Sequence, residues 1–395
     1  MGANAQRTEK RVTREEIAQF CRDLLDLLPR EALAKARERH PEVGGFGVFP
    51  IYAPVEVIHA AGLMPVGLFG AGDKIELTHA EARFQSFICS IAKSTLELFL
   101  AGEMKDFRGA VFSSICDVAR NLSSLVKRNT PGQYIEYLHM PQNMYSAEST
   151  NYARAEFERF RTNLSAHLGR PITDDAIGKS LRLYNEVRAL LRGLYAHRRE
   201  HPTSIPASEL CAVVLAGTRM MPEDFIPMVR ELCDAVQATP AKPRDGVPVV
   251  VEGAFCEQPP LGFLETIEAG GCIVKDDDMA VGWRLFEEDI IAHGDPLGAL
   301  AHAYLAASSY TSVRHDVTKP RTQGLIDRTK RAGAEAVLFA PAKFCEPALL
   351  DYVLFRKKLD EADIPHLKIE FEEKMWTFDT TRTEVETFAE SMLFD

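Results

Sequence analysis

Three apolar stretches of this chain each run into a cysteine and then into a helix-forming segment. They are GAVFSSIC (109–116), VPVVVEGAFC (247–256) and AEAVLFAPAKFC (334–345). A short apolar run bounded by turn signals reads as a buried strand. The segments that follow carry helix-start chemistry: Asp117 after the first, Pro259 and Pro260 after the second, Pro347 after the third. Proline is at home in the first turn of a helix, where its missing N–H costs nothing. Parallel strands need long crossovers, usually helices. Strand–cysteine–helix units in both halves therefore constrain the chain to an α/β fold with parallel sheets.

The rest of the sequence fits that frame. Residues 1–40 read as helical, opening on a capping box at Thr13-Arg14-Glu15-Glu16, with Ile17, Phe20, Leu24, Leu25 and Leu28 at helical spacing. GGFGVFPIY (44–52) reads as a glycine-rich entry to a strand, VEVIHAAG (55–62) as a helix ended by Gly62, and LMPVGLFG (63–70) as another strand. Thr78–Ala101 reads as one long helix, because Phe84, Phe87, Ile88 and Ile91 repeat at i, i+3, i+4 and i+7. On that helix Cys89 lies about 150° from the centre of the apolar stripe, at ~100° per residue, so it stands apart from the packed face. YIEYLHMPQ (134–142) is the next strand. Residues 151–200 are charged and helical, and HPTSIPASE (201–209) has the composition of a connecting loop. In the second half CIVKDDD (272–278) and IPHLKIEF (364–371) are further strands, and the chain ends in a helical tail. The expected architecture is two Rossmann-like parallel-sheet domains with a helical N-terminal segment and a helical linker. The divisions fall at 1–42, 43–150, 151–208 and 209–395.

Composition narrows the function classes. The net charge of −11 over 395 residues is wrong for general nucleic-acid binding, which needs a basic face. No apolar run reaches the length that spans a bilayer. Met1 to Arg14 is polar and charged, without the apolar core of a secretory signal, so the expected compartment is the cytoplasm. The eight cysteines are too sparse for a disulfide scaffold, and no C-x-x-C pair supports a zinc ribbon or a thioredoxin-like motif. No GxGxxG, Walker A, GxSxG or HExxH motif occurs, so nothing points to ATP binding by this chain, to a serine hydrolase or to a zincin.

The cysteines carry the chemistry that the pattern offers. Cys116, Cys256 and Cys345 sit where strands give way to helices. In open parallel sheets ligands bind beyond the carboxyl ends of the strands. A cysteine there faces a helix N-terminus, whose dipole favours the thiolate. Soft thiolates bind iron–sulfur clusters or zinc, and the pattern does not choose between them; it also allows plain burial. Cys272 begins a strand and reads as packing. The run Lys275-Asp276-Asp277-Asp278 could hold a hard cation, but the plainer reading is that it caps a helix and faces solvent. Glu56 and His59 lie one turn apart on a helix and are candidates for acid–base work, as is His315 beside Asp316. His79 and His139 stay undetermined.

Several segments together resemble the benzoyl-CoA reductase / 2-hydroxyacyl-CoA dehydratase family. They are YAPVEVIHAAGLMPVGLFG (52–70), FICSIAKSTLEL (87–98), SICDVARNL (114–122), EGAFCEQPPLGFLETIEAGGCIVKDDD (252–278), FAPAKFCEPALLDY (339–352) and TRTEVETFAESM (381–392). FCEQPP, GGCIVKDDD and the chain length are most similar to the smaller cluster-bearing subunit of the reductase branch. The resemblance implies a [4Fe-4S] cluster held by Cys89, Cys116 and Cys345. Cys256 would be a fourth ligand or line the substrate pocket. It also implies a paralogous cluster-bearing partner subunit, a separate ATP-hydrolysing activator that injects low-potential electrons, and an acyl-CoA thioester substrate. One electron added to the thioester carbonyl would give a ketyl-type radical anion, leading to ring reduction in a reductase or loss of water in a dehydratase. Such chemistry implies an anaerobic setting. Glu56, His59 and His315 are the candidate proton donors. Arg83, Lys93 and Arg120 lie near the cluster cysteines in sequence, where a CoA phosphate would need a cation.

Overall fold

A computed structural model describes residues 12–394 except 145, 241, 254–255, 280–287, 308–311, 313–315 and 317. The N-terminal helices are α1 (Arg14–Asp26) and α2 (Pro29–Arg37). The first α/β unit follows as β1 (Gly44–Phe49), α3 (Val55–Ala60), β2 (Leu63–Gly67), α4 (Ser90–Leu100), β3 (Phe107–Ser113), α5 (Asp117–Asn129) and β4 (Ile135–Leu138). Four helices then intervene: α6 (Ala147–Leu168), α7 (Asp174–Glu200), α8 (Ala207–Gly217) and α9 (Pro222–Ala238). The second unit runs β5 (Val247–Glu252), α10 (Leu261–Ala269), β6 (Cys272–Asp277), α11 (Pro296–His302), a π-helical turn (Ala303–Ala307), α12 (Arg321–Ala332), β7 (Ala336–Phe339), α13 (Glu346–Glu361), β8 (His366–Lys368) and α14 (Asp379–Phe394).

Both sheets are four-stranded and wholly parallel, with the same order: β2-β1-β3-β4 and β6-β5-β7-β8. This is the expected pair of Rossmann-like sheets, laid down twice in one order. The central strands are apolar along their whole length because both faces are covered: every residue of β1, and all but Pro248 in β5, is buried. In each sheet the chain moves outward from the first strand in one direction and then in the other. The switch crevice therefore opens between β1 and β3, and between β5 and β7.

The capping box at Thr13 forms as read, with the Glu16 amide donating to the Thr13 hydroxyl and the Thr13 amide to the Glu16 carboxylate. One expected helix does not form. Residues 78–89 are a series of turns, and α4 begins only at Ser90. The buried Glu97 carboxylate of α4 takes the amides of His79 and Ala80, at 2.9 and 2.7 Å, so this stretch folds back onto the helix instead of extending it. Turns repeat apolar residues at three and four as a helix does. Phe87 is 60% exposed and belongs to no packed helical stripe.

The buried apolar residues form three clusters. The first surrounds the β1–β4 sheet and takes in α6, the start of α7, and the stretch from Leu297 to Leu305 of the second half. The second covers one face of the β5–β8 sheet with α1, α8, α9, α10 and α14. The third lies between that sheet and α12 and α13. Helix α7 serves two of them, giving Ile177 and Leu181 to the first and Tyr184, Val187, Leu191, Leu194 and Tyr195 to the second.

Candidate functional site

Cys89, Cys116 and Cys345 occupy one structural position: each is the N-cap residue of a helix, of α4, α5 and α13 respectively. None of the three side chains makes the hydrogen bond to the helix start that a serine or aspartate would make there. The sulfurs thus stand at the positive ends of helices, beside the first-turn amides. Cys256 sits in the turn just past β5. All four thiols pack against the first core, and Cys345 touches the second as well. Two residues in left-handed backbone conformation stand past strand ends: Tyr52 (φ 62°) after β1 and Phe344 (φ 64°) after β7, immediately before Cys345. Side chains rarely tolerate that conformation, and such strain gathers at functional sites.

The four thiols feel one another's charge. Burial pushes the Cys256 thiol well above its ordinary range, and Cys345, Cys116 and Cys89 push it further. Cys89 is likewise raised well above its ordinary range, by burial and then by Glu257, Cys345 and Cys116. Burial pushes Cys345 up to about 12, with Cys116 and Glu257 adding to it, and also raises Cys116. Opposing this are backbone amides of the helix starts: Ala92 for Cys89, Val118 and Ala119 for Cys116, Ala348 for Cys345. Soft sulfur donors gathered in this way could hold a soft metal centre. Among the described residues no three His, Cys, Asp or Glu side chains are grouped to hold one metal ion. The other cysteines stand elsewhere: Cys21, Cys211 and Cys272 are buried, and Cys233 lies on α9 on the side toward α7.

Sequence reasoning misses one residue of the site. Glu257, directly after Cys256, is 3% exposed, and burial pushes its carboxyl up to about 8, with Glu373 adding to the rise. An acid beside a strand-end cysteine in FCEQPP is the available clue.

The candidate proton donors lie apart from the thiols in their bonding. Glu56 is fully buried and ion-paired with Arg188 of α7. His59 bonds through Nδ1 to the Ser180 hydroxyl at 2.9 Å and through Nε2 to Glu223 at 3.0 Å, so it ties α3 to α7 and α9. His315 lies outside the described residues. His79 meets Glu97 at 2.6 Å, and His139 packs edge-on against Tyr137. Arg83 donates to the His79 carbonyl and Lys93 to the Ser86 carbonyl, while Arg120 is exposed at the start of α5.

The acidic run corrects an expectation. Asp276 and Asp277 end β6 and are buried at 3% and 2% exposure. Asp276 pairs with Arg199 at 3.1 Å, Asp277 accepts from the Tyr195 hydroxyl at 3.2 Å, and Asp278 accepts from the Gly253 amide at 2.8 Å. Asp276 and Asp277 thus do not face solvent. The run pins the end of β6 to α7 and to the turn after β5, because polar groups on α7 stand ready to pair it.

Paired parallel sheets with thiols gathered at strand ends and helix starts define a thiol-bearing α/β protein, and the relatives say of which kind. The family model described as 2-hydroxyglutaryl-CoA dehydratase, D-component, matches residues 50–392. The chain is 35% identical to one of the benzoyl-CoA reductase subunits of Thauera aromatica, over 95% of this chain and 98% of that one. It is 32% identical to lactoyl-CoA dehydratase subunit beta of Anaerotignum propionicum, over 88% of this chain and 92% of the relative. It is 29% identical to (R)-2-hydroxyglutaryl-CoA dehydratase subunit beta of Acidaminococcus fermentans, over 92% and 96%. The chain belongs to the benzoyl-CoA reductase / 2-hydroxyacyl-CoA dehydratase family of enzyme subunits. No described helix is long and apolar enough to cross a membrane.

Proposed function

We propose that this chain is the iron–sulfur subunit of a cytoplasmic benzoyl-CoA reductase. In this reading it passes low-potential electrons to an aromatic acyl-CoA thioester for ring reduction. The observation that carries the reading is the meeting of Cys89, Cys116, Cys256 and Cys345, three of them uncapped helix N-caps, at the strand ends of two sheets. Cys89, Cys116 and Cys345 would hold a [4Fe-4S] cluster, with Cys256 as the fourth ligand or facing the substrate. Bound there, the cluster would supply one-electron reduction. The protein's own part is to stabilise the thiolates with the amides of Ala92, Val118, Ala119 and Ala348 and to keep the sulfurs out of water. A paralogous cluster-bearing subunit and an ATP-hydrolysing activator complete the proposed enzyme.

A second reading, a subunit of a 2-hydroxyacyl-CoA dehydratase, draws on the 32% identity to the lactoyl-CoA enzyme's beta subunit. Both readings share the cysteines and differ in what leaves the substrate.

The test is iron, acid-labile sulfide and a visible spectrum on anaerobically purified protein co-expressed with its partner. About four iron and four sulfide per chain are expected, lost in Cys89→Ser, Cys116→Ser and Cys345→Ser. Absence of iron from the wild type overturns both readings. With activator and ATP, a cyclic diene from benzoyl-CoA supports the reductase, and an enoyl-CoA from a 2-hydroxyacyl-CoA supports the dehydratase.

A further inference from the structure

Helix α4 has a start that its own N-cap does not satisfy. The first N–H groups of any helix lack partners within it, and a residue such as Ser or Asp ordinarily accepts one of them. Cys89 makes no such bond. The acceptor comes instead from the other half of the molecule: the Ile91 amide donates to Glu257 Oε2 at 3.1 Å. The second oxygen of the same carboxylate, Oε1, takes the amide of Glu373 at 2.9 Å. The Glu373 side chain in turn reaches back to α4, accepting from the Ser94 hydroxyl at 2.8 Å, and also accepts the Gly72 amide. Two glutamates of the second half therefore grip α4 at its first and second turns. The grip is covalently continuous with Cys256, the residue before Glu257.

We propose that Glu257 is a positioning residue that caps α4 across the two halves and thereby fixes the Cys89 sulfur relative to Cys256 and Cys345. The cap makes the placement of a first-half thiol depend on docking of the second half. The inference rests on the reading of Cys89 as a cluster ligand for its purpose, but the contact itself exists without any cluster.

The experiment uses the full chain in its iron-free form. Amide hydrogen exchange is followed at residues 89–95, and alkylation rates of Cys89, Cys116 and Cys233 by iodoacetamide are mapped by mass spectrometry. In Glu257→Ala the Ile91 amide is expected to exchange about tenfold faster, the loss of one buried hydrogen bond. Cys89 should alkylate faster by a similar factor, with Cys116 and Cys233 unchanged. Glu257→Gln offers a single carbonyl acceptor, so either Ile91 or Glu373 should lose protection while the other keeps it. If the alanine variant does not fold, the glutamine variant decides alone. Unchanged exchange at both amides overturns the proposal, as does an equal rise at all three cysteines. In reconstituted protein, faster iron loss to a chelator in Glu257→Ala, with recovery in Glu257→Gln, adds a readout at the cluster. A wild type that takes up no iron would sink the cluster reading and leave the exchange and alkylation results standing.

Discussion

A cysteine at a helix N-cap gives up what serine, threonine or aspartate would contribute there, since its thiol is a weak acceptor. Three such positions in one chain, all in the same nest, make sense when the sulfur is reserved for another bond. Strand ends in the sequence point to Cys116, Cys256 and Cys345, because a ligand crevice and a helix dipole meet there. Helical periodicity singles out Cys89 on a false premise, as a residue off the face of a helix that does not exist at that point; its real distinction is being the cap. The role of Glu257 is hard to read in the sequence because its partners lie 166 and 116 positions away. Asp278 shows how burial can lead the other influences on a residue. Burial pushes its carboxyl up to about 7, and Glu252 adds to the rise while Arg328 and Arg321 oppose it. The folded protein therefore holds this proton to a higher pH than the unfolded chain does. The stability it contributes is whole below about pH 4, near the ordinary aspartate value. It is lost as pH rises through about 7. Asp278→Asn keeps an acceptor for Gly253 and removes the charge. Urea unfolding of the variant should show a flatter fall of stability between pH 4 and 7, and at pH 8 a stability equal to or above the wild type. A wild-type advantage at pH 8 would refute this account.

Most elements can be read from the sequence because both determinants are local. Buried parallel strands are unbroken apolar runs, and helix starts carry Thr13, Asp117 or Pro347. The stretch from 78 to 89 cannot, because a tertiary acceptor overrides its helical spacing. That acceptor is testable at the level of the element. Glu97→Ala would leave the amide of Ala80, a fully buried residue, without its partner and would remove the anchor of His79. A cost of about 1–3 kcal/mol in urea unfolding is expected for a buried donor left unmet. Because these turns lead directly into Cys89, exchange at 79–89 should rise in the same variant. Unaltered stability and exchange would mean that the turns hold themselves without Glu97.

At the scale of the molecule, the repetition of one sheet order in both halves is legible as an alternation of strands and helices. The way the halves share their cores is not. Residues 297–305, far along the second half, pack into the first core, and the N-terminal α1 packs into the second. Helix α7 runs through both, and at about 1.5 Å per residue it is a stiff strut between them. Further ties cross between the halves: Arg219 donates to the Leu25 and Leu27 carbonyls at the end of α1, and Glu257 holds α4. A chain built this way has no half that can unfold while leaving the other its full core. Leu181→Ala removes packing from the first core and Leu191→Ala from the second, at sites 3% and 1% exposed. Each should cost roughly 2–5 kcal/mol. Both should lower one and the same unfolding transition, seen identically by far-ultraviolet circular dichroism and by exchange in either sheet. If Leu181→Ala melted the β1–β4 sheet in a separate step and left the β5–β8 sheet protected, the thiols of the two sheets would be held by halves that merely touch. The cross-half cap on α4 would then be the main restraint on where Cys89 stands.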